Sequence, residues 1–272
     1  ALNDEQSAAV EAVSTASGYS PFLLFGVTGS GKTEVYLHIM ERVLARDPEA
    51  QVLLLVPEIN LTPQLEGRVR LRFPGESVVT LNSDLADMER ARSWLAVHEG
   101  RARVLVGTRM SVFSSFRKLS LVIVDEEHDQ SFKAGDGLRY SARDLAVWRA
   151  HRNGIPVVLG SATPSIESWV KAQSGGYRLL ELHQRAVQNA LLPAIELIEP
   201  PRRGSGEALS DEACAAMSRC LEAGRQVLVF LNRRGYSPVL SCPACGWVST
   251  CRRCSTFSVF HKSSRSLVCH HC

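Results

Sequence analysis

The stretch GVTGSGKT, residues 26–33, matches the phosphate-binding pattern G-x-x-x-x-G-K-[ST] at every fixed position. It follows an apolar run, PFLLFG (21–26), and opens a stretch with helical spacing, which is the context that the pattern requires. A glycine-rich turn that arises by chance is the alternative interpretation, and the full match in this context argues against it. The sequence therefore predicts a site for a nucleoside triphosphate.

The residue types of this loop suit phosphate chemistry. Gly29 and Gly31 allow main-chain N–H groups to approach phosphate oxygens, and the N-terminus of the following helix adds positive potential. Lys32 supplies a charge for the β- and γ-phosphates, and the hydroxyl of Thr33 is suited to ligate Mg²⁺. The predicted nucleotide-binding residues of the loop are Gly26, Val27, Thr28, Gly29, Ser30, Gly31, Lys32 and Thr33.

An acidic motif, LVIVDEEHD (121–129), is the expected partner of this loop. Its apolar run ends in carboxylates, of which Asp125 is placed to hold Mg²⁺ through water and Glu126 to polarise an attacking water. A solvated acidic loop is the alternative, and the phosphate-binding loop upstream weakens it. We predict a catalytic set of Lys32, Thr33, Asp125 and Glu126.

Short apolar runs alternate with stretches of helical spacing along the first part of the chain. The runs are continuous rather than alternating, as expected for strands buried on both faces. This order predicts an α/β fold, with a parallel sheet covered by helices on both faces. The predicted strands are 21–26, 51–57, 77–81, 103–107, 121–125 and 156–160, and the predicted helices are 33–46, 87–98, 143–152 and 164–173.

Composition sets broad limits on the class of protein. The chain has 272 residues, 45% of them hydrophobic and 22% charged, with a formal net charge of +3. These values are typical of a soluble globular protein, and the charge is too weak to argue for nucleic-acid binding by itself. No membrane span or signal peptide is apparent, so we expect a cytoplasmic protein without a membrane partner. Since the chain begins at Ala1, we also expect it to be an internal fragment of a longer protein.

The composition also changes along the chain. Residues 184–206 are rich in proline, glycine and arginine and are predicted to be a linker between the domain at 1–183 and the start of a second α/β unit at 207–240. That second unit is predicted to contain a helix near 209–223 and a buried strand, QVLVFLN (226–232). A cysteine-rich segment, 241–272, follows at once.

Six of the eight cysteines lie in C-x-x-C pairs, which is typical of zinc binding. Fourteen residues separate Cys254 from Cys269, which is enough for a hairpin that brings the second pair back to the first. Only five residues separate Cys245 from Cys251, which is tight for a self-contained site. The spacing therefore favours one complete site, and the remaining pair then needs distant partners. The predicted complete site is Cys251, Cys254, Cys269 and Cys272, the remaining pair is Cys242 and Cys245, and the histidines that could substitute as ligands are His261, His270 and His271.

Further motifs narrow the class of nucleotide-binding protein. DEEH and GSATPS (160–165) resemble the second and third motifs of superfamily 2 helicases, and LNDEQ (2–6), LVPEI (55–59) and VGTRM (106–110) resemble other motifs of that family in the same order. The resemblance implies a RecA-like helicase lobe that hydrolyses ATP, with Gln6 contacting adenine. It further implies coupling residues Glu127, His128, Ser161, Ala162 and Thr163, and nucleic-acid contacts from Pro57, Glu58, Thr108 and Arg109.

These motifs, together with RDLAV, FLNRRG and the cysteine cluster after it, are similar to those of the PriA family of bacterial replication-restart helicases. In that family, residues 129–144 would form an aromatic-rich loop that senses DNA, with Phe132 and Tyr140 stacking on bases. Core packing of these rings is the alternative. The sequence departs from the family pattern at Asn82 and Leu138, which puts any contact made by the usual residues in doubt.

Membership of this family would imply an ATP-dependent 3′→5′ helicase that recognises forked and single-stranded DNA. Its partners would be other primosome proteins, single-stranded DNA-binding protein and the machinery that loads the replicative helicase. The family holds two Zn²⁺ ions on four C-x-x-C pairs, so we expect one complete site in this chain. Because the family's arginine finger lies near the end of the second lobe, we also expect weak ATP binding and little hydrolysis by this chain alone.

Two other hypotheses remain open from the sequence. One is a different superfamily 2 enzyme, either an RNA helicase of the DExH type or a DNA translocase. The other is a zinc-dependent DNA-binding or protein-loading module with weak ATPase activity. The presence of Lys32, Thr33, Asp125 and Glu126 argues against the second hypothesis.

Overall fold

The computed structural model describes residues 2–57, 63–83, 85–135, 137–185, 194–199, 209–230, 239–242, 244–254 and 256–270. The chain divides into two compact units, residues 1–192 and 193–272. No helix in the described part of the chain combines the length and the apolar character needed to cross a membrane.

The first unit alternates helices and strands, as the apolar pattern predicts. Its strands are β1 (Ser20–Gly26), β2 (Gln51–Leu55), β3 (Val78–Leu81), β4 (Val104–Gly107), β5 (Leu119–Asp125), β6 (Pro156–Ser161) and β7 (Arg178–Leu182). Its helices are α1 (Asp4–Ser14), α2 (Lys32–Arg46), α3 (Pro63–Arg72), α4 (Asp87–His98), α5 (Ala142–Asn153) and α6 (Ile166–Gln173). Short 3₁₀ helices occupy Arg109–Phe113 and Gln130–Phe132.

Within the described residues, seven strands form one sheet in the order β3-β4-β2-β5-β6-β1-β7. Every pair in this sheet is parallel, which confirms the predicted α/β fold. Strand β6 lies between β1 and β5, the strands that precede the phosphate-binding loop and the acidic motif. The carboxyl ends of the three strands therefore meet at one edge of the sheet, where ligands of open α/β sheets bind.

Successive residues of the central strands alternate between two apolar cores, one on each face of the sheet. Leu24 packs in the core that contains side chains of α1 and α2, while Leu23 packs in the core that contains side chains of α4 and α5. In β5, Ile123 and Val124 divide between the two cores in the same way. Burial on both faces explains why these strands read as continuous apolar runs.

Three elements of the first unit were not predicted: α1, α3 and β7. Helix α1 carries a readable signal, because Asn3 and Gln6 form a reciprocal capping box at its start. Helix α3 is mostly polar and contains Gly67, so its apolar periodicity is weak. Strand β7 lies at an edge of the sheet, and of its residues only Leu182 is buried.

The second unit contains helix α7 (Asp211–Glu222) and an antiparallel hairpin of β8 (Val259–His261) and β9 (Ser266–Val268). The predicted helix is confirmed, but the predicted strand 226–232 is wrong over 226–230, where no strand forms. Leu228 and Phe230 are exposed there, and no described strand pairs with this segment. An apolar run becomes a strand only when neighbouring strands satisfy its main-chain groups. Residues 231–232 lie outside the described residues.

The side chain of Tyr36, from α2, packs so closely on β6 that position 160 has room only for glycine. A Cβ atom at this position would lie 1.6 Å from the Tyr36 hydroxyl oxygen. We predict that Gly160→Ala lowers the free energy of unfolding by about 1–3 kcal/mol, the usual cost of overpacking a core. Chemical denaturation of the purified protein measures this change.

Gly67→Ala is the matched control, because Gly67 lies in α3 with open space where a Cβ would stand. Alanine is favoured over glycine inside a helix, so this substitution is expected to raise stability by about 0.5–1 kcal/mol. Equal effects of the two substitutions would contradict the packing described for Gly160.

Candidate nucleotide site and metal centre

The phosphate-binding loop connects β1 to α2 at the carboxyl edge of the sheet. Gly29 and Gly31 have φ angles of +81° and +82°, in the left-handed region that favours glycine. A Cβ at Gly26 would lie 2.5 Å from the Ser30 hydroxyl, so any larger residue here would have to displace the Ser30 side chain. Within the described residues, the Ser30 hydroxyl is buried without a hydrogen-bond partner, which leaves a donor in the loop. These features fit the binding of phosphate oxygens.

Lys32 is the first residue of α2, and its side chain is held inside the site. Its Nζ donates a hydrogen bond to the Gly26 carbonyl oxygen over 3.0 Å and lies 3.8 Å from Glu126 Oε1. The predicted phosphate-binding lysine and the predicted water-polarising carboxylate are therefore neighbours. A γ-phosphate bound by Lys32 would place its anionic oxygens close to Glu126.

Gln6 connects α1 to the phosphate-binding loop. Its Nε2 donates to the Ser30 carbonyl oxygen over 2.8 Å, and its Oε1 accepts from the main-chain N–H of Asn3 over 3.0 Å. The side chain is buried. These contacts give Gln6 a structural part in supporting the loop, and its contact with adenine stays a prediction.

Asp125 ends β5 and lies next to Lys32 and Glu126. Its Oδ1 accepts a hydrogen bond from the Tyr36 hydroxyl over 3.0 Å and from the main-chain N–H of Glu126 over 3.1 Å. Burial raises the pKa of Asp125 above its usual value, and the negative charge of Glu126 adds to this effect. The hydrogen bond from Tyr36 and the charge of Lys32 act in the opposite direction.

Tyr36 is a site residue that the sequence reasoning missed. Its ring is buried between α2 and the sheet, and its hydroxyl binds the carboxylate of Asp125. Burial and the charge of Asp125 raise the pKa of Tyr36 well above its usual value, so the hydroxyl remains a donor. A signal was present, because Tyr36 stands three residues after Thr33 among the apolar residues of the helix, and a buried tyrosine needs a polar partner.

Glu126 has a φ angle of +47°, which is unusual for a residue other than glycine. Such backbone conformations are found most often at functional sites, where the surrounding structure holds them. The Glu126 Oε2 atom lies 3.7 Å from His128 Nδ1, and its Oε1 faces Lys32. The side chain is thus turned towards the phosphate-binding loop.

The predicted coupling residues meet between β5 and β6. His128 Nδ1 lies 2.8 Å from the Ser161 hydroxyl, and His128 Nε2 lies 3.4 Å from the Thr163 hydroxyl. The Ser161 hydroxyl also accepts from the main-chain N–H of Thr163 over 2.9 Å. Ala162 is half-buried between these two residues. Contacts from His128 therefore join the acidic motif to the third motif.

Glu127 anchors a buried polar cluster behind this site, and its side chain is fully buried. Its Oε2 accepts from Arg143 Nη1 over 3.2 Å and from the hydroxyls of Ser165 and Ser168 over 2.9 Å each. Its Oε1 accepts from the main-chain N–H of Ser165 over 2.6 Å. One carboxylate thus connects the acidic motif to the first turns of α5 and α6.

The predicted nucleic-acid contacts fall in different environments. Thr108 and Arg109 follow β4, and Arg109 Nη1 donates to the carbonyl oxygens of Ser131 and Lys133 over 3.2 and 3.0 Å. Pro57 is buried. Glu58 lies outside the described residues.

The two aromatic rings that were predicted to stack on bases also lie in different environments. Tyr140 is partly exposed, and its hydroxyl donates to Met110 Sδ over 3.0 Å. Phe132 is only 1% exposed and packs in the core with side chains of α5, so its predicted stacking on bases is wrong for this conformation. The alternative of core packing applies, because burying a large aromatic ring is favourable.

The cysteine-rich segment gathers three of its predicted zinc ligands. The Sγ atoms of Cys251, Cys254 and Cys269 all lie within 4.8 Å of one another, and Cys254 Sγ is 3.6 Å from Cys269 Sγ. Strand β9 ends just before Cys269, so the β8–β9 hairpin returns the chain to Cys254. Three converging thiol groups fit a tetrahedral zinc site that takes one further ligand. The predicted fourth ligand, Cys272, lies outside the described residues.

The other predicted ligands do not join this group within the described residues. Hydrogen bonds from the main chain and side chain of Cys245 lower the pKa of the Cys242 thiol, which favours the thiolate form that binds metals. His261 Nε2 and His270 Nε2 lie 2.8 Å apart. His271 lies outside the described residues.

Comparison with known proteins identifies the family. The family described as DEAD/DEAH box helicase matches residues 3–171. The whole chain is 41% identical to the replication restart protein PriA of Bacillus subtilis (strain 168) and 43% identical to that of Haemophilus influenzae. The chain spans 34% and 37% of the length of these two relatives. These matches confirm the resemblance inferred from the motifs.

Solved structures support the fold. The helicase MrfA covers 86% of this chain with a TM-score of 0.57 and 16% identity, and the match spans 36% of MrfA. RecG, solved bound to a three-way DNA junction, covers 70% with a TM-score of 0.52 and 21% identity, and the match spans 24% of RecG. Both likenesses concern the helicase fold. With its family match and its whole-length similarity to PriA, the chain belongs to the DEAD/DEAH box helicases as a relative of the replication restart proteins.

Proposed function

We propose that this chain is the nucleotide-binding part of an ATP-driven DNA helicase that acts in replication restart. The observation that carries the proposal is the convergence of Lys32, Asp125 and Glu126 at one edge of the sheet, with Lys32 Nζ 3.8 Å from Glu126 Oε1. Such a pairing of a phosphate-binding lysine with acidic residues at the end of another strand of the same sheet is the arrangement used for phosphoryl transfer.

Each residue of the proposed site has a distinct part. The main-chain N–H groups near Gly29 and Gly31 bind the phosphates of ATP, and Lys32 adds a positive charge. The hydroxyl of Thr33 and the carboxylate of Asp125 hold Mg²⁺, which neutralises phosphate charge when bound. Glu126 orients and polarises the attacking water, and Gln6 contacts adenine. The contacts of His128 with Ser161 and Thr163 transmit the nucleotide state to the nucleic-acid side.

The wider activity is proposed from the relatives. Both named relatives are replication restart proteins. From the family resemblance of the motifs we expect unwinding in the 3′→5′ direction on forked DNA. Primosome proteins, single-stranded DNA-binding protein and the helicase-loading machinery would be partners, in the cytoplasm. The cysteine-rich segment would bind Zn²⁺ through Cys251, Cys254, Cys269 and Cys272, with Cys242 and Cys245 belonging to a second site in the full-length protein.

Lys32→Ala in the full-length protein tests the nucleotide site. We expect hydrolysis of ATP stimulated by forked DNA to fall by more than about a hundredfold, since a positive charge aimed at the phosphates is lost. Lys118→Ala is the control, because Lys118 is exposed and paired with Asp47 outside the site. Normal hydrolysis in Lys32→Ala would contradict the proposal. Stronger stimulation by RNA than by DNA would favour the RNA-helicase alternative.

Tyr36→Phe tests whether the hydroxyl positions Asp125 for Mg²⁺. The substitution keeps the ring and removes one hydrogen bond to the carboxylate. Loss of a group that orients a metal-binding residue typically weakens metal binding about 10- to 100-fold, so the Mg²⁺ concentration needed to bind a fluorescent ATP analogue should rise at least about tenfold. Tyr177→Phe, at another buried tyrosine, is the control. An unchanged Mg²⁺ requirement in Tyr36→Phe would overturn this part.

Metal analysis tests the cysteine segment. We expect Cys254→Ser in the full-length protein to remove about one Zn²⁺ per chain, because a zinc–thiolate site needs four ligands. Cys214→Ser is the control, since Cys214 is exposed in α7 and outside the C-x-x-C pairs. For this chain alone we expect about one tightly bound Zn²⁺, and two would contradict the proposed pairing. Full zinc content in Cys254→Ser would exclude Cys254 as a ligand.

A further inference from the structure

A cavity of about 400 Å³ opens in the first unit beyond the ends of β3 and β4. Its wall is formed by residues after β3, by the exposed side of α4, and by the 3₁₀ helix that follows β4. The residues that matter for its chemistry are Asn82, Arg90, Trp94, Thr108, Arg109 and Phe113. The volume lies within the range of pockets that bind small ligands, roughly 300–1,000 Å³.

Two aromatic rings line this cavity without being buried. Trp94 is 39% exposed and Phe113 is 49% exposed. One side of Trp94 is stacked on His98, with ring centroids 5.2 Å apart and planes at 10°. Phe113 meets the edge of Tyr140, with centroids 4.9 Å apart. Neighbouring side chains thus hold each ring while part of it faces the cavity, which suits stacking of a flat ring from a ligand.

The charged groups of the cavity suit an anion. Among the described residues that line it, two are arginines and none is acidic. Arg90 Nη2 donates to Asp87 Oδ1 over 2.8 Å in an exposed ion pair at the rim of the cavity. Arg109 is anchored through Nη1 to the loop at 131–133, and its buried Nε has no hydrogen-bond partner within the described residues. A planar guanidinium of this kind is well matched to phosphate.

The location of the cavity connects it to the proposed helicase path. Thr108 and Arg109 line it, and both are predicted contacts of nucleic acid. Because β3 and β4 belong to the same parallel sheet as β1 and β5, the cavity opens at the carboxyl edge that also carries the phosphate-binding loop. A single strand bound along this edge would present its bases to the two rings.

We propose that this cavity is a nucleobase site, in which one unpaired base of single-stranded DNA stacks against Trp94 and Phe113 while its phosphate meets Arg109 or Arg90. The side chains of Asn82 and Thr108 lie at the cavity wall, where they can meet the polar edge of a base. The inference rests on the proposed DNA-helicase function and adds a base contact to it. It also assigns to Trp94 and Phe113 the base stacking that the sequence predicted for Phe132, which is buried.

The test compares binding of two probes to the full-length protein: an oligo-dT strand and an abasic strand with the same phosphodiester length. Stacking of one base on an aromatic side chain is typically worth about a 5- to 100-fold change in affinity. We expect Trp94→Ala to weaken oligo-dT binding by this factor and to leave binding of the abasic strand unchanged. Trp148→Ala is the matched control, because Trp148 is an exposed tryptophan on α5 outside the cavity.

Phe113→Ala should behave as Trp94→Ala does, and Trp94→Phe should restore part of the affinity because it retains a ring. If Trp94→Ala does not fold, quenching of tryptophan emission in the wild-type protein tests whether a base stacks on Trp94. Oligo-dT should quench this emission, the abasic strand should not, and Trp94→Phe should abolish the oligo-dT effect while Trp148→Phe retains it.

Two results would overturn the nucleobase site. Equal oligo-dT binding by the wild type and Trp94→Ala would refute it, as would an equal loss with both probes. If DNA-stimulated ATP hydrolysis persists in either case, the helicase proposal stands and only the base site fails. A wild-type protein that binds neither probe and hydrolyses no ATP would remove both proposals.

Discussion

Burial of the parallel sheet on both faces is the constraint on which the rest of the structure depends. Side chains of α1 and α2 cover one face, and side chains of α4 and α5 cover the other. Polar chemistry is therefore excluded from the middle of the strands and is concentrated where they end. Because β6 lies between β1 and β5, the third motif at the end of β6 lies between the phosphate-binding loop and the acidic motif.

The polar groups at this edge support one another through buried contacts. Tyr36 reaches across from α2 to Asp125 and packs on Gly160, so one side chain touches the strands of two motifs. Glu127 likewise connects separate elements behind the site, through hydrogen bonds from Ser165 and Ser168. These hydrogen bonds offset the large desolvation cost of a buried carboxylate. Such fully satisfied groups fix the relative positions of the motifs before any nucleotide binds.

Much of the fold could be predicted from the sequence, because the phosphate-binding loop and the apolar runs are patterns of consecutive residues. Neither pattern depends on contacts with distant parts of the chain. The edge strand β7 and the polar helix α3 could not, because their pairing and burial depend on neighbours distant in the sequence. The strand expected at 226–232 was wrong over its described part for the same reason, since an apolar run is no strand without a partner. Trp94 and Phe113 were missed because their proposed roles arise only when separate elements meet, whereas the position of Tyr36 among the apolar residues of α2 did carry a signal.

Lys32, Asp125 and Glu126 are proposed to form one site for a Mg²⁺–nucleoside triphosphate. A crystal structure with a non-hydrolysable ATP analogue and Mg²⁺ would locate the triphosphate relative to these three residues. We expect Lys32 Nζ to exchange the Gly26 carbonyl oxygen for phosphate oxygens, with Mg²⁺ bound between the phosphates and the Asp125 side of the site. Triphosphate bound away from the 26–33 loop, with Lys32 still on Gly26, would contradict it.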